Sequence, residues 1–373
     1  MRIGIDARFY GPYGKGLGRY TQKLVDHLQT VDDHNEYFIL LRRENWADFQ
    51  PTDKRFHKIL ADYRWYSVSE QFFMPLKLWS LDLDLVHFTH FNVPLFYFGK
   101  FIVTIHDLIL TKYPTERAST LGPWLYRIKH ALYQIVINSA VKRAMKVVAV
   151  SEYTKKEVVR HFKCTPEKVA VTLEAVDPVP LSDGGEVIIV KYHIAKPYIL
   201  YVGNAYPHKN CERLVEAFQM LLKEEPGYHL VMVGREDYFY SRLKKLVSQK
   251  ELTRVVHFPG FVTDSDLPAF YRHARVYAFP SLCEGFGLPA LEGCQYGVPV
   301  VASNNSSLPE VLGEAAVYFN PEKTDEMYQA IRKVISDERL TSRLVAAGYE
   351  RVKQFSWEAM SKQTMDIYRS VIL

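Results

Sequence analysis

The feature that most restricts this chain is an alternation. Short runs rich in β-branched and aromatic residues recur along its length, each followed by a stretch of helical periodicity. In the first half the runs are Ile3-Gly4-Ile5, Tyr37 to Leu41, Leu85-Val86-His87, Phe101 to Ile105 and Val147 to Val150. A second series comprises Tyr198 to Gly203, His229 to Gly234, Val255 to Phe258, Val276 to Phe279 and Val298 to Ala302. A repeated strand-then-helix order is the pattern of parallel, doubly wound α/β sheets, whose crossovers are helical. Between the two series, Asp177-Pro178-Val179-Pro180-Leu181-Ser182-Asp183-Gly184-Gly185 is dense in Pro, Gly and Asp and reads as a linker. The expected organisation is a first α/β domain over residues 1–180, a second over 181–356, and a C-terminal helix over 357–373 packing back on the first. Thr324 to Phe355 reads as helical throughout, and Trp357 to Ile372 as an amphipathic helix.

Composition excludes several classes. With 48% hydrophobic and 24% charged residues, 373 residues suit two ordered domains. The formal charge of +5 is too small for a dedicated nucleic-acid binder. No run approaches the roughly 18 apolar residues of a membrane span, and charges inside Met1 to Arg8 interrupt any signal-peptide core. Cys164, Cys211, Cys283 and Cys294 form no CxxC pair, so reduced thiols and a cytoplasmic protein without structural metal are expected.

Ligands of doubly wound sheets sit beyond the carboxyl ends of strands, which directs the search to the segment after Val276–Phe279. There Pro280-Ser281-Leu282-Cys283-Glu284-Gly285-Phe286-Gly287-Leu288-Pro289-Ala290-Leu291-Glu292 places two glycines before a proline suited to a first helical turn. A helix N-terminus with free N–H groups attracts anions. Glu284 and Glu292, eight positions apart, fall on the loop and about one turn into the helix, where they can meet different parts of one ligand. After Gly203, the segment Asn204-Ala205-Tyr206-Pro207-His208-Lys209-Asn210 offers Asn210 as a helix cap and Lys209 as a cation for an anionic ligand.

The stretch from Glu284 to Glu292 resembles the E-x7-E signature of retaining glycosyltransferases of the GT-B fold, in particular glycosyltransferase family 4. Gly297 to Val311 is similar to the run that follows it in the family's mannosyltransferases. The resemblance implies two Rossmann-like lobes with an interdomain cleft and a nucleotide-sugar donor held by the second lobe. Glu284 would then face the sugar, Glu292 hold the ribose hydroxyls, and Lys209 neutralise the diphosphate. Phe286, Gly287 and Leu288 would present backbone N–H groups, while the loop carrying Phe261 and Val262 would read the base through its backbone. His208 stands where an Arg is frequent and Asn204 where some relatives have Arg, which suggests pH-sensitive phosphate binding.

In the first lobe the same resemblance makes the loop with Gly14, Gly16 and Gly18 close over the donor, names Arg19 as an acceptor-side residue, and puts His106 on the transferred sugar. Asp107 is a candidate for orienting His106, and Ser151 frames the acceptor side. His87 and His90 are either pocket lining or core. The implied reaction is retaining transfer of a hexose, mannose from GDP-mannose first, to a glycan or lipid-linked acceptor in polysaccharide biosynthesis, with no metal or other cofactor. A UDP-hexose transferase, a sugar-nucleotide epimerase of the same fold and a non-catalytic nucleotide-sugar-binding protein are the rival readings. Intact Glu284 and His106 speak against the last. The basic, aromatic stretch from Trp124 to Lys146 suggests either peripheral contact with an anionic membrane or a core helix with a solvated face.

Overall fold

The structure, a computed structural model, describes residues 1–12, 15–113, 123–177 and 185–372. Gly14 and most of the linker, including the boundary expected between 180 and 181, lie outside these residues, as do the side chains of Trp124, Leu125 and Tyr126. Of the described residues, one compact unit holds 1–112, 123–174 and 356–372, and a second holds 113 and 175–355.

The sheet of the first unit contains β1 (Arg2–Asp6), β2 (Glu36–Leu41), β3 (Phe56–Leu60), β4 (Leu85–Phe88), β5 (Phe101–Ile105), β6 (Lys146–Ala149) and β7 (Val169–Val171). Every pairing is parallel, in the order β3-β2-β1-β4-β5-β6-β7. The second unit repeats the scheme with β8 (Tyr198–Val202), β9 (His229–Val233), β10 (Val256–Gly260), β11 (Val276–Phe279), β12 (Val300–Ser303) and β13 (Ala316–Phe319), ordered β10-β9-β8-β11-β12-β13. In each sheet the winding direction reverses once, between β1 and β4 and between β8 and β11, and there the loops diverge to leave a crevice.

Both faces of the second sheet are covered. Ile199, Tyr201, Met232 and Ala278 join one core, while Tyr198, Leu200, Val233 and Phe279 join the other. This two-sided burial is why the strands read as continuous apolar runs. β3, β7 and β13 were not read from the sequence; all three lie at sheet edges, as does β10, whose apolar run was legible. β3 is interrupted by His57 and Lys58, and β7 is only three residues long.

The single helix expected over Thr324 to Phe355 is two, Thr324–Ser336 and Glu338–Val352. Asp337 takes an extended conformation between them, and its carboxylate accepts a hydrogen bond from the Leu340 N–H at 2.9 Å, capping the second helix.

The helix Trp357–Ile372 belongs to the first unit, where it packs against the helix Lys15–Val31. It buries Trp357, Met360, Tyr368 and Val371. His87, in the middle of β4, is part of this junction rather than of a pocket. Its Nδ1 lies 2.7 Å from the Tyr368 hydroxyl and its Nε2 lies 2.8 Å from Thr104 Oγ1. Burial pushes the His87 imidazole down to about 3, so it is neutral in the fold.

The unfolded chain binds a proton at this residue near pH 6.5. The stability it contributes is therefore complete above that pH and is lost as pH falls toward 3. Urea denaturation should show about 2 kcal/mol of such loss from His87 between pH 6.5 and 5. His87→Gln should flatten that slope; an unchanged slope would assign the acid sensitivity elsewhere.

Candidate active site

Residues that are 75 positions apart meet because β8 and β11 are parallel neighbours at the reversal of the second sheet. The loop leaving β8 ends in a short 3₁₀ turn, Pro207–Lys209, and the loop leaving β11 carries Glu284. Lys209 Nζ lies 2.6 Å from Glu284 Oε1, with the two side chains only 15% and 10% exposed. The ammonium also lies 5.8 Å from the centre of the Phe279 ring. A partly desolvated ion pair of this kind is costly to break by removing one partner, since the other charge is left buried.

Backbone and amide bonds fix both loops. The Leu282 N–H donates to the His208 carbonyl at 2.7 Å. Asn210 does not cap its helix through the side chain, as expected from sequence. In the left-handed conformation its amide instead donates to the carbonyls of Pro280 and Pro321, at 3.0 and 2.8 Å. A buried amide can join three segments at once, which a cap cannot. On the other flank, residues after β12 grip the same loop. Asn305 donates to the Leu282 carbonyl at 3.0 Å, the Glu284 N–H donates to Ser306 Oγ at 3.1 Å, and Ser307 Oγ donates to the carbonyls of Glu284 and Phe286 at 3.2 and 2.9 Å.

Gly287 precedes the helix Leu288–Gln295 with φ of 100°, and a Cβ there would lie 2.7 Å from Leu308 Cδ2. Both the conformation and the space require glycine. Phe286 is buried edge-on against Phe355, and Leu288 is half-buried. Glu292, within the helix, accepts a hydrogen bond from the Tyr271 hydroxyl at 3.2 Å, a partner the sequence reading did not name. Asn204 is spent on its own loop, its Oδ1 accepting from the Tyr206 N–H at 3.3 Å. Phe261 is exposed while Val262 is packed in the core. His208 is pushed down to about 4 by burial and by neighbouring Lys209, so it carries no charge near neutrality. The pH-sensitive phosphate contact expected of it does not follow from its surroundings.

In the first unit, Gly16 is exposed in the first turn of Lys15–Val31, whereas Gly18 permits close packing. A Cβ on Gly18 would fall 2.1 Å from the Gly11 carbonyl oxygen. Arg19 is half-buried on the same helix. His106 follows β5 with Nε2 3.0 Å from the Thr89 carbonyl oxygen and Nδ1 3.3 Å from Glu174 Oε1, its ring edge-on to Tyr20 at 4.7 Å. The carboxylate that holds His106 is thus Glu174, where the sequence pointed to Asp107. Asp107 Oδ1 accepts from the Ile109 N–H at 2.8 Å and starts the helix Ile109–Lys112. No local spacing could reveal Glu174, which comes from beyond β7, 68 residues away. Ser151 is a buried N-cap, accepting from the Thr154 N–H at 3.1 Å. Nearby, Arg8 is fully buried between Asp6 and Glu70, each at 2.7 Å.

A sheet reversal with a lysine, a glutamate and a glycine-started helix at its mouth is equipped to hold a phosphorylated ligand and respond to charge on it. Comparison with known proteins identifies the class. Residues 14–179 match the family model described as Glycosyltransferase Family 4, and residues 189–351 match the one described as Glycosyl transferases group 1. The two models in tandem take up most of the chain, which belongs to the GT-B glycosyltransferases of family 4 type. Among curated relatives, O-antigen chain mannosyltransferase B of Escherichia coli is 28% identical, the match covering 95% of this chain and 96% of that protein. O-antigen chain mannosyltransferase RfbU of Salmonella typhimurium is 25% identical over 94% of this chain and 98% of its own. Among solved structures, sucrose-phosphate synthase of Thermosynechococcus elongatus shares the fold with a TM-score of 0.79 at 21% identity, covering 100% of this chain and 99% of that one.

Gly287→Ala should cost about 2–3 kcal/mol from strain and overpacking, read as a lowered melting temperature, and should abolish stabilisation by nucleotide ligands. Full nucleotide response in a folded variant would separate this turn from ligand binding.

Proposed function

We propose that this glycosyltransferase moves mannose from GDP-mannose to a hydroxyl of a glycan or lipid-linked acceptor, with retention at the anomeric carbon and without a metal ion. The observation that carries the reading is the Lys209–Glu284 pair at the β8/β11 reversal. The choice of mannose is supported by the two O-antigen mannosyltransferases, which align with nearly the whole chain.

In this reading the donor diphosphate takes the Lys209 ammonium as its counter-charge. As the bond from the anomeric carbon to the phosphate oxygen breaks, the electron pair leaves with the diphosphate. Lys209 and the N–H groups that open Leu288–Gln295 stabilise the growing charge, the task a metal ion performs elsewhere. The acceptor oxygen bonds to the anomeric carbon, and its proton passes to the departing phosphate oxygen. An ammonium shared between the diphosphate and the Glu284 carboxylate beside it weakens that carboxylate as a nucleophile, which supports attack from the leaving-group face, with Glu284 steadying the sugar. Glu292 serves the ribose, and His106, held by Thr89 and Glu174, contacts the transferred sugar.

Thermal-shift measurements with GDP, UDP and ADP and their sugar conjugates test the donor, because a ligand at about a hundred times its dissociation constant adds roughly 2.7 kcal/mol. Stabilisation should be selective for GDP and GDP-mannose; a UDP preference would overturn the donor and leave the class. Lys209→Ala should lower kcat by about 10²–10³ and weaken nucleotide binding. Glu284→Gln should cost turnover as severely while nucleotide binding persists, since the lysine is freed for phosphate. Unaltered turnover in Glu284→Gln would falsify the catalytic assignment. Glu174→Ala should reduce kcat/KM and leave the GDP response intact. Chelator should leave turnover unchanged, and His208→Gln should leave the pH profile of the donor KM between about pH 5.5 and 8 as in the wild type, because His208 is uncharged there.

A further inference from the structure

The helix Val68–Trp79 presents apolar side chains outward as well as inward, where Met74 and Leu78 are buried. Its acidic residue, Glu70, is fully buried against Arg8, while Val68, Phe72, Phe73, Leu76 and Trp79 are exposed, Val68 at 76%. The apolar side chains at 68, 72, 76 and 79 form one helical stripe facing outward.

Two further segments of the same unit extend this face. The loop after β4 exposes Phe96 and Phe98, the latter at 74%. Phe96 stacks on Phe72 at 4.9 Å, and the Leu95 N–H donates to Gln71 Oε1 at 2.8 Å. The helix Pro123–Arg143 exposes Ile128, Leu132 and Ile135, again at helical spacing. Its Tyr133 packs edge-on against Phe91 at 5.0 Å. Its Arg143 donates to the carbonyls of Pro94 and Tyr97 and sits 5.9 Å from the Phe98 ring. The helix Val68–Trp79 and the loop after β4 are thus joined into one apolar face, and Arg143 ties the end of the helix Pro123–Arg143 to that loop. Such patches on a water-facing surface mark an interaction site.

Charge selects the partner. Residues 68–79, 91–100 and 123–143 contain Lys77, Lys100, Arg127, Lys129, Lys142 and Arg143, and their one acidic residue is the buried Glu70. A face with basic groups around exposed aromatic and aliphatic side chains fits an anionic lipid surface. Two copies placed face to face would instead oppose like charges. No helix among the described residues is long and apolar enough to cross a membrane, so the contact is peripheral.

The geometry points to this face as a docking surface for an anionic bilayer, with Phe72, Phe73, Leu76, Trp79 and Phe98 entering the interface and the basic side chains meeting lipid phosphates. The sequence had suggested the helix near Trp124 alone; the structure adds the more strongly apolar Val68–Trp79 helix and its loop. The inference rests on the proposed lipid-linked acceptor for its purpose, and on the surface for its evidence.

Co-sedimentation of the full chain with vesicles of phosphatidylglycerol and phosphatidylcholine, against pure phosphatidylcholine, tests it. The protein should sediment with the anionic vesicles at low salt and be released as salt rises. The double variant Phe73→Asp, Leu76→Asp should bind at least about tenfold more weakly, and removal of Arg127 or Lys129 should weaken binding roughly fivefold each. Both substitutions alter exposed positions, and an unchanged melting temperature and GDP response would show that fold and donor site are intact. Wild-type protein left in the supernatant at low salt overturns the inference, as does equal sedimentation of the double variant. A concentration-dependent dimer that the double variant abolishes, without vesicle binding, assigns the face to a second copy and overturns it equally. Absence of any GDP response, with vesicle binding retained, would instead count against the donor reading.

Discussion

Parallel pairing imposes the constraint on which the rest depends. A strand that must pair parallel to its neighbour returns through a crossover, and right-handed crossovers carry the chain to one side of the sheet until the order reverses. At the reversal between β8 and β11 the two following loops leave in opposite directions. Only there do Lys209 and Glu284, each beyond the end of its own strand, approach to 2.6 Å. The same reversal in the first sheet lies between β1 and β4, next to the buried Arg8 fork.

Loops that carry charge need support that apolar packing cannot provide, because their backbone groups face the interior without strand partners. The second unit supplies it with small polar side chains. Asn210 joins the Pro280 and Pro321 carbonyls, and Ser306 and Ser307 hold the backbone around Glu284. These bonds are short-range and directional, so they hold a carboxylate in place to a degree that hydrophobic contact alone does not. In the first unit Glu174 does the same for His106, and Tyr368 secures the last helix through His87.

Much of the fold was legible. Ten of the strands announced themselves as apolar runs because successive residues along them are buried, and the C-terminal helix showed its stripe. Three edge strands were not legible; β3 is interrupted by His57 and Lys58, and β7 is only three residues long. The break at Asp337 was missed because a capping aspartate inside a helical pattern looks like an exposed helical residue. In the loop after β11, Gly287 was informative since the tight turn into the helix requires glycine locally, and the Glu284–Glu292 spacing carried the family resemblance. Glu174, Tyr271 and the roles of Asn210 and His208 were hidden, because each depends on a partner or on burial supplied from elsewhere in the chain.

The sequence by itself determined the class of fold, the loop that carries Glu284 and the family this loop resembles, because periodicity, turn chemistry and short motifs are local properties. Tertiary structure decided which carboxylate holds His106, that His87 is core and not pocket, that His208 is uncharged, and that the Phe72 stripe faces outward while Glu70 faces in. Each of these is set by what surrounds a side chain. Burial, partner and electrostatic field come from segments tens to hundreds of residues away, brought together only when the sheets close.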